Sequence, residues 1–167
     1  MASDKNGKAP PPRFLFSHPA HLVACGFGSG LSPFAPGTAG TLFAWALYPL
    51  LRGAMADFEL LAFLLVCSAL GILAVQRTGE DLGVIDHGSI VWDEIVPFWL
   101  VLFFCPPGWP WQAAAFLAFR FFDIVKPPPA NFFDERVKNG FGVMADDFVA
   151  GFYAVLTLAA LRHFISQ

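Results

Sequence analysis

Apolar residues run along this chain in long uncharged blocks, and the polar residues between the blocks are gathered rather than scattered. Residues 60–75 are sixteen positions without a charge. At about 1.5 Å per residue such a helix measures about 24 Å, close to the roughly 30 Å of a bilayer's hydrocarbon core. It reads as the clearest span. Residues 38–51 and 148–161 form two further blocks of fourteen uncharged residues each, short of a crossing unless they extend into their flanks. Residues 95–119 carry no charge either, but a Cys-Pro-Pro-Gly-Trp-Pro-Trp run at 105–111 divides them. Proline removes a helix donor and crowds the preceding turn, so the pattern predicts two half-length helices joined by a reversal, short enough to be re-entrant. A reversal returns the chain to the side it left, which puts the polar segments before and after it on one side.

Composition sharpens this picture. With 56% hydrophobic and 14% charged residues, a chain of 167 is one domain and too oily for a typical soluble globule. The expected fold is all-α, a multi-spanning integral membrane helical bundle over residues 21–167. A polar, proline-rich tail over residues 1–20, disordered or interfacial, precedes it. Residues 1–13 lack the apolar core and small-residue cleavage site of a signal peptide. Lys5, Lys8, Arg13, Arg77, Arg120, Lys126, Arg136 and Lys138 fall on one side of this layout, against Arg52 and Arg162 on the other. The positive-inside rule then turns the polar segments toward the cytoplasm. The net charge of −3 is segregated by segment, and no basic stripe suggests nucleic acid. Cys25, Cys67 and Cys105 lie far apart in apolar surroundings and read as packing residues.

Ten of the thirteen Asp and Glu fall within residues 80–94 and 123–147. Each segment ends in an acidic pair, Asp93-Glu94 or Asp146-Asp147, that leads straight into an apolar block. Ionised groups at a membrane boundary are costly, so the cluster is a functional candidate with a divalent cation as its natural partner. Asp93 and Glu94 stand about 100° apart on a helix, so both reach one ion only near a helix end or with one acting through water. Asp86 shares the face of Asp93 if the helix begins early. Both pairs also suit a plainer role, complementing a helix dipole or capping a first turn, and Pro97 fits a first turn as well. His87 is either a further candidate or a loop residue. Arg120, Asp123 and Lys126 recur at i, i+3 and i+6 along one helical face until Pro127 stops it. An ion-pair ladder accounts for that spacing. So does a phosphate substrate, because cations beside metal-binding carboxylates neutralise the charge that phosphoryl transfer redistributes.

Residues 26–41 mix five glycines, two prolines and four hydroxyls just before an apolar helix. Converging backbone N–H groups and a helix N-terminus can cradle a phosphate, with Ser29, Ser32 and Thr38 as candidate donors, although this is no Walker A. The alternative is a re-entrant or interfacial loop whose glycines allow close packing and whose Thr38 or Thr41 caps a helix.

In their order and spacing, GFGSGLSPFAPGT (26–38), DLGVIDHGSIVWDEIV (81–96), FRFFDIVKP (119–127) and GFGVMADDFVAG (140–151) resemble the phosphatidylglycerophosphatase A family, over about residues 21–154. The resemblance implies a small multi-pass protein of the bacterial cytoplasmic (inner) membrane. It would remove the terminal phosphate of phosphatidylglycerophosphate to leave phosphatidylglycerol, in phospholipid biosynthesis, with Mg²⁺ as cofactor. Matched by position, the family's acidic motif falls on Asp86, Asp93 and Glu94, its central motif on Arg120, Asp123 and Lys126, and its last on Asp146 and Asp147. Asp93, Glu94, Asp123, Asp146 and Asp147 are then the expected Mg²⁺ ligands, with one of them, or Asp86, as general base. Arg120 and Lys126 would hold the phosphate. Pro97 stands where the family usually has glycine, and Pro128 where a bulky residue is common; both departures bear on local helix geometry and leave the ligands intact. No string of the histidine-dependent lipid phosphatases is present. A cation- or proton-coupled transporter would use buried acids too, but it leaves Arg120 and Lys126 without a role.

Overall fold

The computed structural model describes residues 8–165. Among them are seven α-helices and no strand: α1 (Pro19–Ala24), α2 (Pro36–Ala54), α3 (Asp57–Leu82), α4 (Trp92–Phe104), α5 (Trp109–Val125), α6 (Ala130–Arg136) and α7 (Gly140–Ile165). Short 3₁₀ turns at Pro12–Phe16 and Gly26–Leu31 flank α1. Of the expected tail, residues 1–7 lie outside the described residues. The remainder runs from irregular backbone at 8–11 through a 3₁₀ turn into α1, with Phe14 stacked on His21 at 4.1 Å.

Each uncharged block becomes helix. The block at 60–75 is the middle of α3, which has 26 residues and ends where Gly83 turns left-handed at φ 77°, a conformation that glycine adopts without a Cβ clash. The blocks at 38–51 and 148–161 extend into their flanks, giving α2 its 19 residues and α7 its 26. α3 and α7 are long and apolar enough to cross a bilayer, and at about 1.5 Å per residue each measures about 39 Å. The chain reverses between α4 and α5 at the proline-glycine run, as the pattern predicts. With 13 and 17 residues these two helices measure about 20 and 26 Å.

α4 is the central element, packed against α2, α3, α5 and α7. Its Trp92, Ile95, Val96, Phe98, Trp99 and Val101 are all buried, as a helix that is apolar on every side requires. Trp92 and Trp99 meet edge-on at 5.8 Å. Their indole N–H groups donate to the carbonyls of Cys67 (3.1 Å) and Ala44 (2.8 Å), so neither buried donor is orphaned. Glycine sets the spacing of neighbours. A Cβ on Gly71 would lie 2.6 Å from the Trp92 ring, and one on Gly140 2.2 Å from the Ile72 carbonyl oxygen. Gly140 N–H also donates to Gln76 Oε1 at 2.7 Å, tying the start of α7 to α3.

Polarity is inverted relative to a water-soluble globule. Leu65, Leu70 and Leu73 of α3, Phe121 of α5 and Phe152 of α7 are exposed, whereas Asp86, Asp93, Asp123, Asp146 and Asp147 are buried. Apolar surface outside and charge inside suit association with a membrane. The molecule has two ends. At one, Arg52 pairs with Asp57 at 2.5 Å and lies over the Phe103 ring. At the other, the first turns of α2, α4 and α7 meet the last turns of α3 and α5, and there the carboxylates gather.

Candidate active site

A cavity of about 240 Å³ opens at that second end. Its walls come from five places in the chain: Ala35, Pro36 and Gly37 at the start of α2; Asp86, Gly88 and Ile90 in the loop after α3; Asp93 and Glu94 at the start of α4; Arg120 and Asp123 near the end of α5; and Asp147 in α7. A smaller cavity of about 120 Å³ lies alongside, lined by Asp86, Asp134, Lys138 and Asp146 among others, so Asp86 is a wall of both.

Two cations are threaded through these acids. Arg120 Nη1 contacts Glu94 Oε2 at 2.9 Å, Asp123 Oδ2 at 2.8 Å and Thr41 Oγ1 at 3.5 Å. The hairpin of α4 and α5 is what makes the first of these contacts possible. Lys126 Nζ pairs with Asp146 and lies 3.6 Å from Asp134 and 3.8 Å from Asp123. The i, i+3, i+6 ladder is therefore real, and each of its cations also reaches an acid on another helix. Pro127 disfavours helix at the residue before it. Lys126 ends α5 in the left-handed region at φ 47°, and Ala35, before Pro36 at the start of α2, is left-handed too at φ 43°. Non-glycine residues in that region are strained by roughly 1–3 kcal/mol, and these two flank the site.

The helix boundaries separate the two acidic pairs. Asp93 and Glu94 are in the first turn of α4, where they complement its dipole and also face the cavity. Pro97 lies one turn further in, inside α4, so the helix forgoes the bond that residue 97 would donate to the Asp93 carbonyl. Asp146 and Asp147 are no caps, because α7 begins at Gly140. Asp86 is in the loop and reaches the cavity without sharing a helix face with Asp93.

Ser29, Ser32 and Thr38 are not among the residues lining either cavity. Ser29 Oγ donates to the Gly26 carbonyl and Ser32 Oγ to that of Phe34, both at 2.8 Å. The glycine-rich stretch instead delivers the N-terminus of α2. A Cβ on Gly37 would lie 2.0 Å from Glu94 Oε1, so only glycine leaves that carboxylate its place. His87 is buried, accepts from Ser89 N–H at its Nδ1 (3.1 Å) and does not line the cavity. Burial holds its pKa below the usual value near 6.5, against the pull of neighbouring Asp86. Cys25 is a buried free thiol whose pKa burial pushes up to about 11.

Three participants escaped the reading of the sequence. Thr41 touches both Arg120 and Glu94, the latter at 3.4 Å; its position one turn after Gly37, with its Oγ1 also donating to the Gly37 carbonyl, was the available signal. Gly37 acts by the absence of a side chain. Asp134 reaches Lys126 only because α6 folds back over α7, which nothing in local spacing announces.

The donors available here are carboxylate oxygens, the hard ligands that Mg²⁺ takes. Asp147 is 2% exposed, and its Oδ1 has no hydrogen-bond partner among the described residues. A buried carboxylate oxygen in that condition fits a cation. No three His, Cys, Asp or Glu side chains among the described residues are already drawn together into a finished metal site. The fit is thus one of donor chemistry and placement.

A sequence profile described as phosphatidylglycerophosphatase A matches residues 22–162. The chain is 47% identical over 149 residues to the Haemophilus influenzae protein of that name, covering 89% of this chain and 91% of the relative. It is 43% identical over 155 residues to the Escherichia coli protein of the same name, covering 90% and 88%. A Bacteroides thetaiotaomicron protein provisionally named phosphatidylinositol-3-phosphatase is 42% identical over 148 residues, covering 84% and 92%. No solved structure matches. With the profile spanning nearly the whole chain and the carboxylate motifs converging on one cavity, this chain belongs to the phosphatidylglycerophosphatase A family.

Proposed function

We propose that this protein hydrolyses phosphatidylglycerophosphate to phosphatidylglycerol and phosphate, as a multi-pass enzyme of the bacterial inner membrane with its site on the cytoplasmic side. The observation that carries the reading is the convergence, in a chain of this family, of seven buried or half-buried carboxylates and the cations Arg120 and Lys126 at one end of a bundle whose outside is apolar. A phosphomonoester at the membrane surface meets such a site while its acyl chains stay in lipid. The bias of Lys and Arg toward this end supports the cytoplasmic orientation. Phe34, 84% exposed in the loop before α2, supports an interfacial position for the glycine-rich stretch.

Seven carboxylates against Arg120 and Lys126 repel a phosphate, so the site needs more positive charge than these two cations supply. Asp93, Glu94, Asp123, Asp146 and Asp147 would hold Mg²⁺. When bound, Mg²⁺ offsets this surplus and polarises the phosphoryl oxygens. Arg120 and Lys126 then turn from their carboxylate partners to the phosphate, Arg120 through its fork and Lys126 as a point charge. The N-terminus of α2 adds a partial positive charge at Ala35–Gly37. Water attacks the phosphorus in line with the leaving glycerol oxygen, one of the carboxylates or Asp86 takes its proton, and as the P–O bond to the lipid breaks that proton passes to the leaving oxygen, which becomes the free hydroxyl of phosphatidylglycerol.

The test is phosphate release from phosphatidylglycerophosphate by purified protein in detergent, with Mg²⁺ or with EDTA, for wild type and Asp93→Asn. Release that requires both the metal and Asp93 is the expected result. The Bacteroides relative's provisional name concerns another head group, so phosphatidylinositol 3-phosphate is assayed in parallel. Turnover of that lipid alone would move the substrate assignment to it, and ion flux without phosphate release would replace hydrolysis by transport.

A further inference from the structure

An apolar groove runs between α4 and α7, with Pro97, Val101 and Phe104 on one wall and Phe148, Gly151 and Val155 on the other. Its volume is about 120 Å³, room for about four water-sized groups at 30 Å³ each. It starts beside the acidic cavity: Pro97 is one turn beyond Asp93 and Glu94, and Phe148 follows Asp147 directly. At its far end, Phe104 and Val155 also line a second cavity that continues to Arg162. The path thus follows the helix axes from the carboxylates toward the opposite end of the molecule. Gly151 keeps it open. A Cβ there would meet Val101 at 3.3 Å and the Pro97 side chain at 3.7 Å.

We propose that this groove seats a short stretch of one acyl chain of the lipid whose phosphate enters the acidic cavity, an assignment that rests on the lipid-phosphatase reading above. The groove's place next to the acidic cavity along α4 and α7 selects the occupant. A head group at Asp93 and Asp147 leaves its chains to run down the helices, and the groove is the apolar path that begins there. Its walls offer no side-chain hydrogen-bonding group, which leaves a polar peptide or nucleotide unsatisfied. Lipid already surrounds the bundle, so the gain is contact and alignment rather than escape from water. Held in this way, the chain fixes the depth and rotation of the head group, and the proline-glycine pairing of Pro97 with Gly151 shapes the seat.

Two measurements test it. In detergent, Gly151→Leu is compared with wild type on diacyl phosphatidylglycerophosphate and on the same head group stripped of both chains. Filling the groove is expected to raise KM for the diacyl substrate by about threefold, the scale of losing a handful of carbon–carbon contacts, with KM for the bare head group unchanged. Equal change on both substrates, or none on either, overturns the groove while leaving the hydrolase reading intact. Phosphate release from neither substrate by wild type removes both. A variant that fails to fold is bypassed by the second measurement, in which wild type is irradiated with a phosphatidylglycerophosphate carrying a diazirine in one chain. Labels concentrated on α4 and α7 are expected. Labels spread evenly over the exposed faces of α3 and α5 overturn the proposal.

Discussion

Single atoms decide how the acids are used. Arg120 bridges Glu94 and Asp123 through one nitrogen. A lysine preserves the charge but not the planar fork, so Arg120→Lys is expected to lower kcat/KM for phosphate release by about a hundredfold, the cost of misplacing a reacting group by about an ångström. Thermal melting in detergent should show the variant folded. Gly37→Ala probes the same carboxylate from the other side. Its Cβ must displace Glu94 Oε1 from 2.0 Å, a shift at the tip of a flexible side chain that costs little stability, so activity should fall by about a hundredfold while the melting temperature barely moves. These residues also mark how far a sequence can be read. Asp93, Glu94, Arg120 and Asp123 were legible because charge inside oily segments is conspicuous. Ser29 and Ser32 were conspicuous too, yet hydroxyls bond equally well to nearby carbonyls, as these two do. Gly37 was illegible as a site residue because its contribution is empty space.

Helix placement carries the next layer. α7 presents Asp146 and Asp147 at the right height only while its start is locked to α3 through Gly140 and Gln76. In Gly140→Ala the new Cβ falls 2.2 Å from a backbone oxygen that cannot swing aside. Overpacking of this kind costs about 1–3 kcal/mol, to be read as a lowered melting temperature. Gly53→Ala is the matched control. Nothing lies within 4 Å of its Cβ, so its stability should hold or rise slightly. The reversal between α4 and α5 was legible because Pro106, Pro107 and Gly108 cannot continue a helix, while Pro110 is tolerated in the first turn of α5. The start of α4 was legible too, since Asp93 and Glu94 do fall in its first turn, but the start of α7 was not. The acidic pair next to an apolar block looks like a cap, whereas the residue that caps α7 is Asn139, whose Oδ1 accepts from the Gly142 N–H at 2.9 Å.

Across the whole molecule, two buried imidazoles set a dependence on pH. Burial lowers the pKa of His87, and also that of His21, whose ring contacts Thr78 at 3.1 Å and Asp81 at 3.2 Å. The unfolded chain therefore takes up these protons first as the solution is acidified. Their contribution to stability is complete above about pH 6.5 and is lost as pH falls through the lower folded-state values. Melting temperature should drop on acidification below pH 6.5, and less steeply in His87→Asn; a flat profile would show that neither ring is held neutral. Orientation is a property of the same scale. In a background without Cys105, a cysteine at Gly53 should react with an impermeant thiol reagent added to intact cells, and one at Glu135 only after lysis.

The acids come from separate helices, each contributing at the same end, and this bears on how the protein is made. No partial product of membrane insertion carries a usable fraction of the site. α4 without α5 leaves Glu94 without Arg120, and the bundle without α7 lacks Asp146 and Asp147. A hairpin inserted in the wrong direction would carry its carboxylates to the opposite leaflet. On the proposed function, catalytic competence would therefore double as proofreading of topology: only a molecule with every segment placed in the correct sense would bring its acids and cations together, and misassembled copies would stay inert.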